Sequence, residues 1–167
     1  MIHIYCGDGK GKTTAAMGLA LRMAGRGKRV VIARFLKSRD SGECMALEQL
    51  PGVTVLPAPE TLPFTFQMTP QERERERERY RELLHTLSRL AAQADLLVLD
   101  EVCDGLDTGL VDAGQLLALL DAFEGEAVLT GREPAPELLE RAGYVTRMVK
   151  VRHPYDSGQG ARLGVEW

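Results

Sequence analysis

Apolar residues along this chain of 167 residues fall into two rhythms. Short β-prone runs occur at Ile2-His3-Ile4-Tyr5-Cys6, at Arg29-Val30-Val31-Ile32-Ala33-Arg34-Phe35 and at Asp95-Leu96-Leu97-Val98-Leu99-Asp100. Two more follow at Ala127-Val128-Leu129-Thr130 and Tyr144-Val145-Thr146-Arg147-Met148-Val149. The continuous apolar centres of the middle runs suit strands covered on both faces. Between the runs the spacing becomes helical, first from Thr13 to Gly25 through Ala16, Leu19, Ala20, Met23 and Ala24, then at about 43–50, 70–94, 112–123 and 135–142. Strand and helix therefore alternate, which predicts parallel strands joined by right-handed crossovers. The expected fold class is α/β, a doubly wound, mostly parallel sheet flanked by helices.

Two stretches stand outside this rhythm. Pro57, Pro59 and Pro63 make residues 57–69 irregular, and a loop that long inside a compact domain is more often functional than idle. The run from Glu72 to Arg79 alternates Glu and Arg; opposite charges at i,i+3 predict a solvated helix face rather than a partner site.

Composition narrows the class. With 44% hydrophobic and 27% charged residues the chain reads as globular, and its length fits one domain, 1–167, that buries roughly 70% of its unfolded surface. A net charge of -3 and a pI near 5.7 give no basic field for a nucleic-acid backbone. No leader pattern and no run of ~20 apolar residues occurs, so a cytoplasmic protein without membrane contact is expected. Cys6, Cys44 and Cys103 lack any C-x-x-C spacing and read as small buried hydrophobes, reduced rather than bridged.

The candidate chemistry lies where the first strand meets the first helix. Gly7-Asp8-Gly9-Lys10-Gly11-Lys12-Thr13-Thr14 aims backbone amides and a helix N-terminus at one point, as a P-loop does for a polyphosphate. Lys12 supplies a charge on the phosphates and the Thr13 hydroxyl a ligand for magnesium. The strict pattern asks for glycine where Cys6 stands, so the spacing is off by one residue and the pose of the nucleotide is left open. Leu97-Val98-Leu99-Asp100-Glu101 adds an apolar strand ending in two acids, expected beside the loop and able to share a magnesium ion. The fold is then of the P-loop, RecA-like kind, with ATP and magnesium implied.

Several separated stretches resemble one known family, the P-loop ATP:corrinoid adenosyltransferases. They are the glycine loop with its Thr-Thr-Ala-Ala continuation, Arg34-Phe35-Leu36-Lys37, Phe64-Thr65-Phe66, Val98-Leu99-Asp100-Glu101, Thr130-Gly131-Arg132, His153-Pro154-Tyr155-Asp156-Ser157-Gly158, and Ala161-Arg162-Leu163-Gly164-Val165-Glu166-Trp167. The resemblance implies transfer of the 5'-deoxyadenosyl group of ATP to the cobalt of a Co(I) corrinoid, with tripolyphosphate leaving. Co(I) is itself a strong nucleophile, so no Ser, Cys or His base is needed; the protein has to position the reactants and stabilise the leaving charge. Phe64 and Phe66 match the family's aromatic pair, which implies that they cover the lower face of the corrin and exclude its axial ligand. Without the resemblance, residue type alone favours anchoring of the proline-rich loop to the core over a functional role. Arg132, at a strand end, is expected to reach a phosphate or a corrin carboxamide, or to form a structural ion pair. His153 reads as a structural residue of an extended turn. A reduced flavoprotein donor and a homodimer are further implications of the resemblance.

Three departures accompany the match. Asp8 stands where many members have Asn, which places a carboxylate beside the phosphates unless it faces magnesium or solvent. Phe66 stands where many have Trp. Members often begin with a covering N-terminal helix, whereas Met1 leads directly into the first strand, so a more open corrinoid site or another lid is expected. A small-molecule kinase or nucleoside triphosphatase, and an ATP-binding regulatory module without chemistry, use the same loop and acid pair and stay open on sequence.

Overall fold

The computed structural model describes residues 1–38 and 41–165; Glu166 and Trp167 of the C-terminal pattern lie outside them. Six strands form one sheet: β1 (Ile2–Cys6), β2 (Val30–Arg34), β3 (Val53–Val55), β4 (Leu96–Asp100), β5 (Glu126–Thr130) and β6 (Ala142–Arg147). Their order is β3-β2-β4-β5-β1-β6, and every pairing is parallel. The expected doubly wound α/β architecture is thus present, with one correction of detail: β4 does not neighbour β1, because β5 pairs with both.

Alternation along the strands explains the double winding. In β2 and β4, Val30, Ile32, Leu96 and Val98 point to one face, where they pack with Ala16, Met17 and Ala20 of α1 (Lys12–Ala24) and Cys44 and Leu47 of α2 (Gly42–Leu47). Val31, Ala33, Leu97 and Leu99 point to the other. There they meet α3 (Pro70–Ala91), α4 (Val102–Asp107), α5 (Ala113–Ala122) and α6 (Pro136–Arg141). All five residues of β2 and of β4 are buried, as a sheet covered on both faces demands. β3 and β6 are the edges, and of β6 only the first residue is even partly covered.

α3 shows how a charged sequence still docks. Thr69 and Glu72 form a capping box at its start, and Glu76, Tyr80, Leu84 and Leu87 make a narrow buried stripe. The expected i,i+3 ion pairs are present at Glu74–Arg77, Glu76–Arg79 and Glu78–Arg81. The face is not merely solvated, however. Arg73 donates to the carbonyls of Thr65 and Thr108, and Arg77 to that of Gly109.

Tyr80 is fully buried, and its hydroxyl accepts from the Leu36 amide at 2.7 Å. Leu36 holds a left-handed φ of 52°, which a branched side chain adopts only when its surroundings compel it. Tyr80→Phe leaves that amide without its acceptor, so unfolding free energy should fall by about 1–3 kcal/mol. Denaturant titration checks this as a lower midpoint at unchanged slope; an equal midpoint would show that Leu36 does not depend on the bond.

Candidate nucleotide site

Because all strands run the same way, the segments that follow them emerge at one edge of the sheet. The glycine loop follows β1, Phe35–Lys37 follow β2, the proline-rich loop follows β3, Glu101 follows β4, Gly131 and Arg132 follow β5, and Met148 onward follows β6. The fold thus directs to one edge the glycine loop, the acid pair, the proline-rich loop and the segments that begin at Phe35, Gly131 and Met148.

The glycine loop is stitched to its neighbours. Gly7 N–H donates to the Arg132 carbonyl at 2.9 Å and Gly9 N–H to that of Met148 at 2.8 Å, while Met148 N–H donates to Cys6. A Cβ on Gly7 would lie 2.3 Å from the Met148 carbonyl oxygen, and one on Gly9 2.8 Å from the Met148 carbonyl carbon. These two glycines therefore serve the close approach of residues 148–149. Gly11, with φ 106°, turns the chain into α1. Cys6 is buried within β1, opposite Arg147, which is how a side chain is tolerated where the strict pattern has glycine: the strand runs one residue further. Lys12 folds over the loop and donates to the carbonyls of Gly7 and Gly9 at 2.7 and 2.8 Å.

The opposite wall is acidic. Asp100 has no exposure. It accepts from the hydroxyls of Thr13 at 3.0 Å and Thr130 at 2.7 Å, and from the Lys37 ammonium at 2.8 Å. Glu101 lies 3.5 Å from the same ammonium. Its φ of 60° is left-handed like that of Leu36, a conformation worth about 1–3 kcal/mol of strain that persists only where the surroundings fix it. Here the Thr130 hydroxyl fixes it by accepting from Glu101 N–H at 2.7 Å. Burial pushes the Glu101 carboxyl up to about 7, against the pull of Lys37, with the charges of Asp100 and Asp104 adding to the rise. Burial works to lower the pKa of Lys37, but the two carboxylates outweigh it and hold it raised.

Between these walls lies a cavity of about 360 Å³, lined among others by Lys10, Lys12, Thr14, Lys37, Glu101 and Val165. Gly9, Gly11 and Thr13 also border it, whereas Gly7 and Asp8 do not. Asp8 instead caps the tail, its carboxylate accepting from Lys150 N–H at 3.0 Å, and that bond holds its pKa below the usual range. Arg132 brackets the loop through its backbone; its amide donates to Asp104 at 2.9 Å, and its exposed side chain is not part of the lining. A larger cavity, about 540 Å³, opens beside Ala94 and Gly125; these precede β4 and β5, so it lies at the other edge of the sheet.

Phe64 and Phe66 stand apart from the cavity. They are 69% and 81% exposed and stack on one another with centroids 5.5 Å apart. Leu56, Met68 and Leu62 anchor this loop to the core instead, so the two rings do not serve that purpose. Arg73 holds the turn between them, at 3.2 Å from the Thr65 carbonyl. His153 is structural, its Nδ1 accepting from Tyr155 N–H, and the three cysteines are buried and unpaired. Sequence reasoning assigned no role to Lys37, Thr130, Tyr80 or Arg73. Lys37 and Thr130 carried a signal only as members of stretches that resemble the family; Tyr80 and Arg73 carried none.

A glycine turn feeding a helix is common; a hydroxyl from that helix bonded to a buried carboxylate two strands away is not. The pairing of Thr13 with Asp100 makes this a P-loop nucleotide-binding domain. Within that class the chain belongs to the ATP:corrinoid adenosyltransferases, the family described as ATP:corrinoid adenosyltransferase BtuR/CobO/CobP, whose model matches residues 1–167. The corrinoid adenosyltransferase of Escherichia coli K12 is 30% identical over 172 residues, covering 100% of this chain and 85% of the relative. CobA of Salmonella typhimurium matches at the same identity and shares, and the Pseudomonas aeruginosa enzyme at 30% with 83% of its length. The chain is accordingly an adenosyltransferase, with ATP and a corrinoid as substrates. Among the described residues no helix is long and apolar enough to cross a membrane.

Proposed function

We propose that the chain, acting as one domain, transfers the 5'-deoxyadenosyl group of ATP to the cobalt of a Co(I) corrinoid and releases tripolyphosphate, as a step of adenosylcobalamin biosynthesis or salvage. The cobalt electron pair forms the bond to C5', and the C5'–O bond breaks with its electrons leaving on the triphosphate. The observation that carries this reading is a cationic, amide-rich cradle facing an acidic wall across a cavity whose lining, among the described residues, includes no cysteine or histidine. Such a site suits binding and charge stabilisation rather than covalent catalysis.

In this reading Lys12, Lys10, Thr14 and the amides of Gly11 and Thr13 hold the phosphates. Gly7 and Gly9 shape the loop, their amides bonded to Arg132 and Met148, Asp8 ties it to the tail, and Arg132 reaches in from its rim. Thr13, Asp100 and Glu101 would hold magnesium. Their hard oxygen donors fit that ion, and among the described residues no group of three or more His, Cys, Asp or Glu forms a cage for it, which matches a cation that takes most of its ligands from phosphate and water. When bound, magnesium supplies neutralisation of triphosphate charge. Phe64 and Phe66 cover the lower face of the corrin; two stacked rings left in water are otherwise an unrelieved cost. A reduced flavoprotein is the proposed electron donor and the cytoplasm the proposed location. A homodimer is also proposed, supported by the open edge of β6 and exposed Tyr144, Val145, Val149 and Val151; sedimentation as a monomer would remove it.

Anaerobic incubation with MgATP and chemically reduced Co(I) cobalamin should consume the Co(I) absorbance and yield a light-sensitive alkylcobalt product together with tripolyphosphate. Unchanged Co(I) with ADP and phosphate appearing would place the chain among kinases or triphosphatases instead.

For the aromatic turn, Phe64→Ala with Phe66→Ala should lower turnover of Co(II) corrinoid plus reductant by at least about tenfold while ATP affinity holds. Arg73→Ala, which frees the turn, should raise the corrinoid KM in the same assay. Intact Co(II) turnover in the double variant would rule out the axial-ligand role.

A further inference from the structure

Three oxygen groups, from α1, from the end of β4 and from the N-cap of α4, converge on one ammonium. Lys37 Nζ lies 2.7 Å from Thr13 Oγ1, 2.8 Å from Asp100 Oδ2 and 3.5 Å from Glu101 Oε1. These are the hydroxyl and the two carboxylates assigned above to magnesium, so the lysine charge stands where the metal charge belongs.

The backbone is shaped to bring this about. Leu36 and Glu101 are the two non-glycine residues with positive φ among those described. One immediately precedes the lysine, and the other is its partner. Each is pinned by a hydroxyl that accepts its amide, Tyr80 for Leu36 and Thr130 for Glu101. The Lys37 side chain is 29% exposed and that of Asp100 not at all, so the ammonium has a way out toward the cavity it lines and the carboxylate has none. A surface lysine that merely meets an acid needs neither strained residue.

We propose that Lys37 is the resident counter-cation of the acid pair. Its ammonium and a divalent ion compete for the same oxygens, since two cations at that spacing repel strongly where water is scarce. The acid pair therefore takes no metal by itself. Metal enters together with ATP, whose phosphates offer the displaced ammonium a new anionic partner in the same cavity. This deepens the reading of Thr13, Asp100 and Glu101 as metal ligands and rests on it.

The test is binding of bare Mn²⁺, a paramagnetic substitute for magnesium, followed by the loss of its free electron-spin signal without nucleotide. Wild-type protein should show no saturable binding, while Lys37→Met, which keeps the stem and removes the charge, should bind Mn²⁺ at least about tenfold more tightly. Equal affinity in the two proteins overturns the proposal, provided that Mn²⁺ still strengthens ATP binding by the wild type. ATP binding indifferent to Mn²⁺ sinks the metal reading and the proposal with it. Should the variant fail to fold, the wild type decides alone: its melting temperature should rise with Mn²⁺ plus ATP and stay level with Mn²⁺ only, and an equal rise with the bare ion overturns the proposal.

Discussion

A carboxylate shut off from water loses several kcal/mol of solvation unless its partners replace what water gave. Asp100 is in that position, and its replacements are Thr13 from the start of α1, Thr130 from the end of β5 and Lys37 from the segment after β2. Each partner is held in turn. Thr13 is fixed by the turn at Gly11, Lys37 by Leu36 on Tyr80, and Thr130 by its place in a buried strand. The carboxyl edge of the sheet is organised around this one group, which is why the glycine loop and the acid pair meet although β5 separates their strands.

Parallel topology makes such a meeting possible. In an antiparallel sheet successive connections alternate between edges, whereas six parallel strands deliver five connections and the C-terminal tail to one side. Helices on both faces then oblige β2 and β4 to be apolar throughout, so polar chemistry is expelled to the residue that ends the strand or follows it. Lys37, Asp100, Glu101 and Arg132 all lie at or just beyond a strand end.

That rule also decides what could be read from the sequence. β2, β4 and β5 were legible because double burial writes itself as unbroken apolar residues. β3 was not, since Val53–Val55 is only three residues long. The last strand was expected at 144–149 and spans Ala142–Arg147; Ala142 has no strand character of its own and joins by pairing with Ile2 of β1, with Gly143 in the register shift before Tyr144 pairs with His3. α4 escaped notice because six residues carry no periodicity, and its Gly105 is required by a neighbour, Val111, whose Cγ2 would sit 2.7 Å from a Cβ. The glycine loop and acid pair were visible as local patterns. Lys37 was visible only as part of a resemblance, because a lysine shows its role through what it faces. Arg73 was hidden inside a charge repeat whose neighbours do pair as the repeat suggests.

α4 connects the two halves of the site. It begins at Glu101, on the acidic wall of the nucleotide cavity, and its C-cap is Thr108, whose carbonyl accepts from Arg73 at 2.5 Å. The same guanidinium accepts no proton and has donors to spare, and it holds the Thr65 carbonyl between the two exposed rings. Adenosyl transfer needs cobalt in line with C5', a demand on relative position that no single cavity here meets, because the aromatic turn lies outside the one that holds the glycine loop. A six-residue helix fixed at both ends is stiff on that length scale. With one end on the proposed metal ligand and the other on the clamp of the aromatic turn, it links the nucleotide cavity to the turn that carries Phe64 and Phe66, which is the spacing the proposed reaction would use.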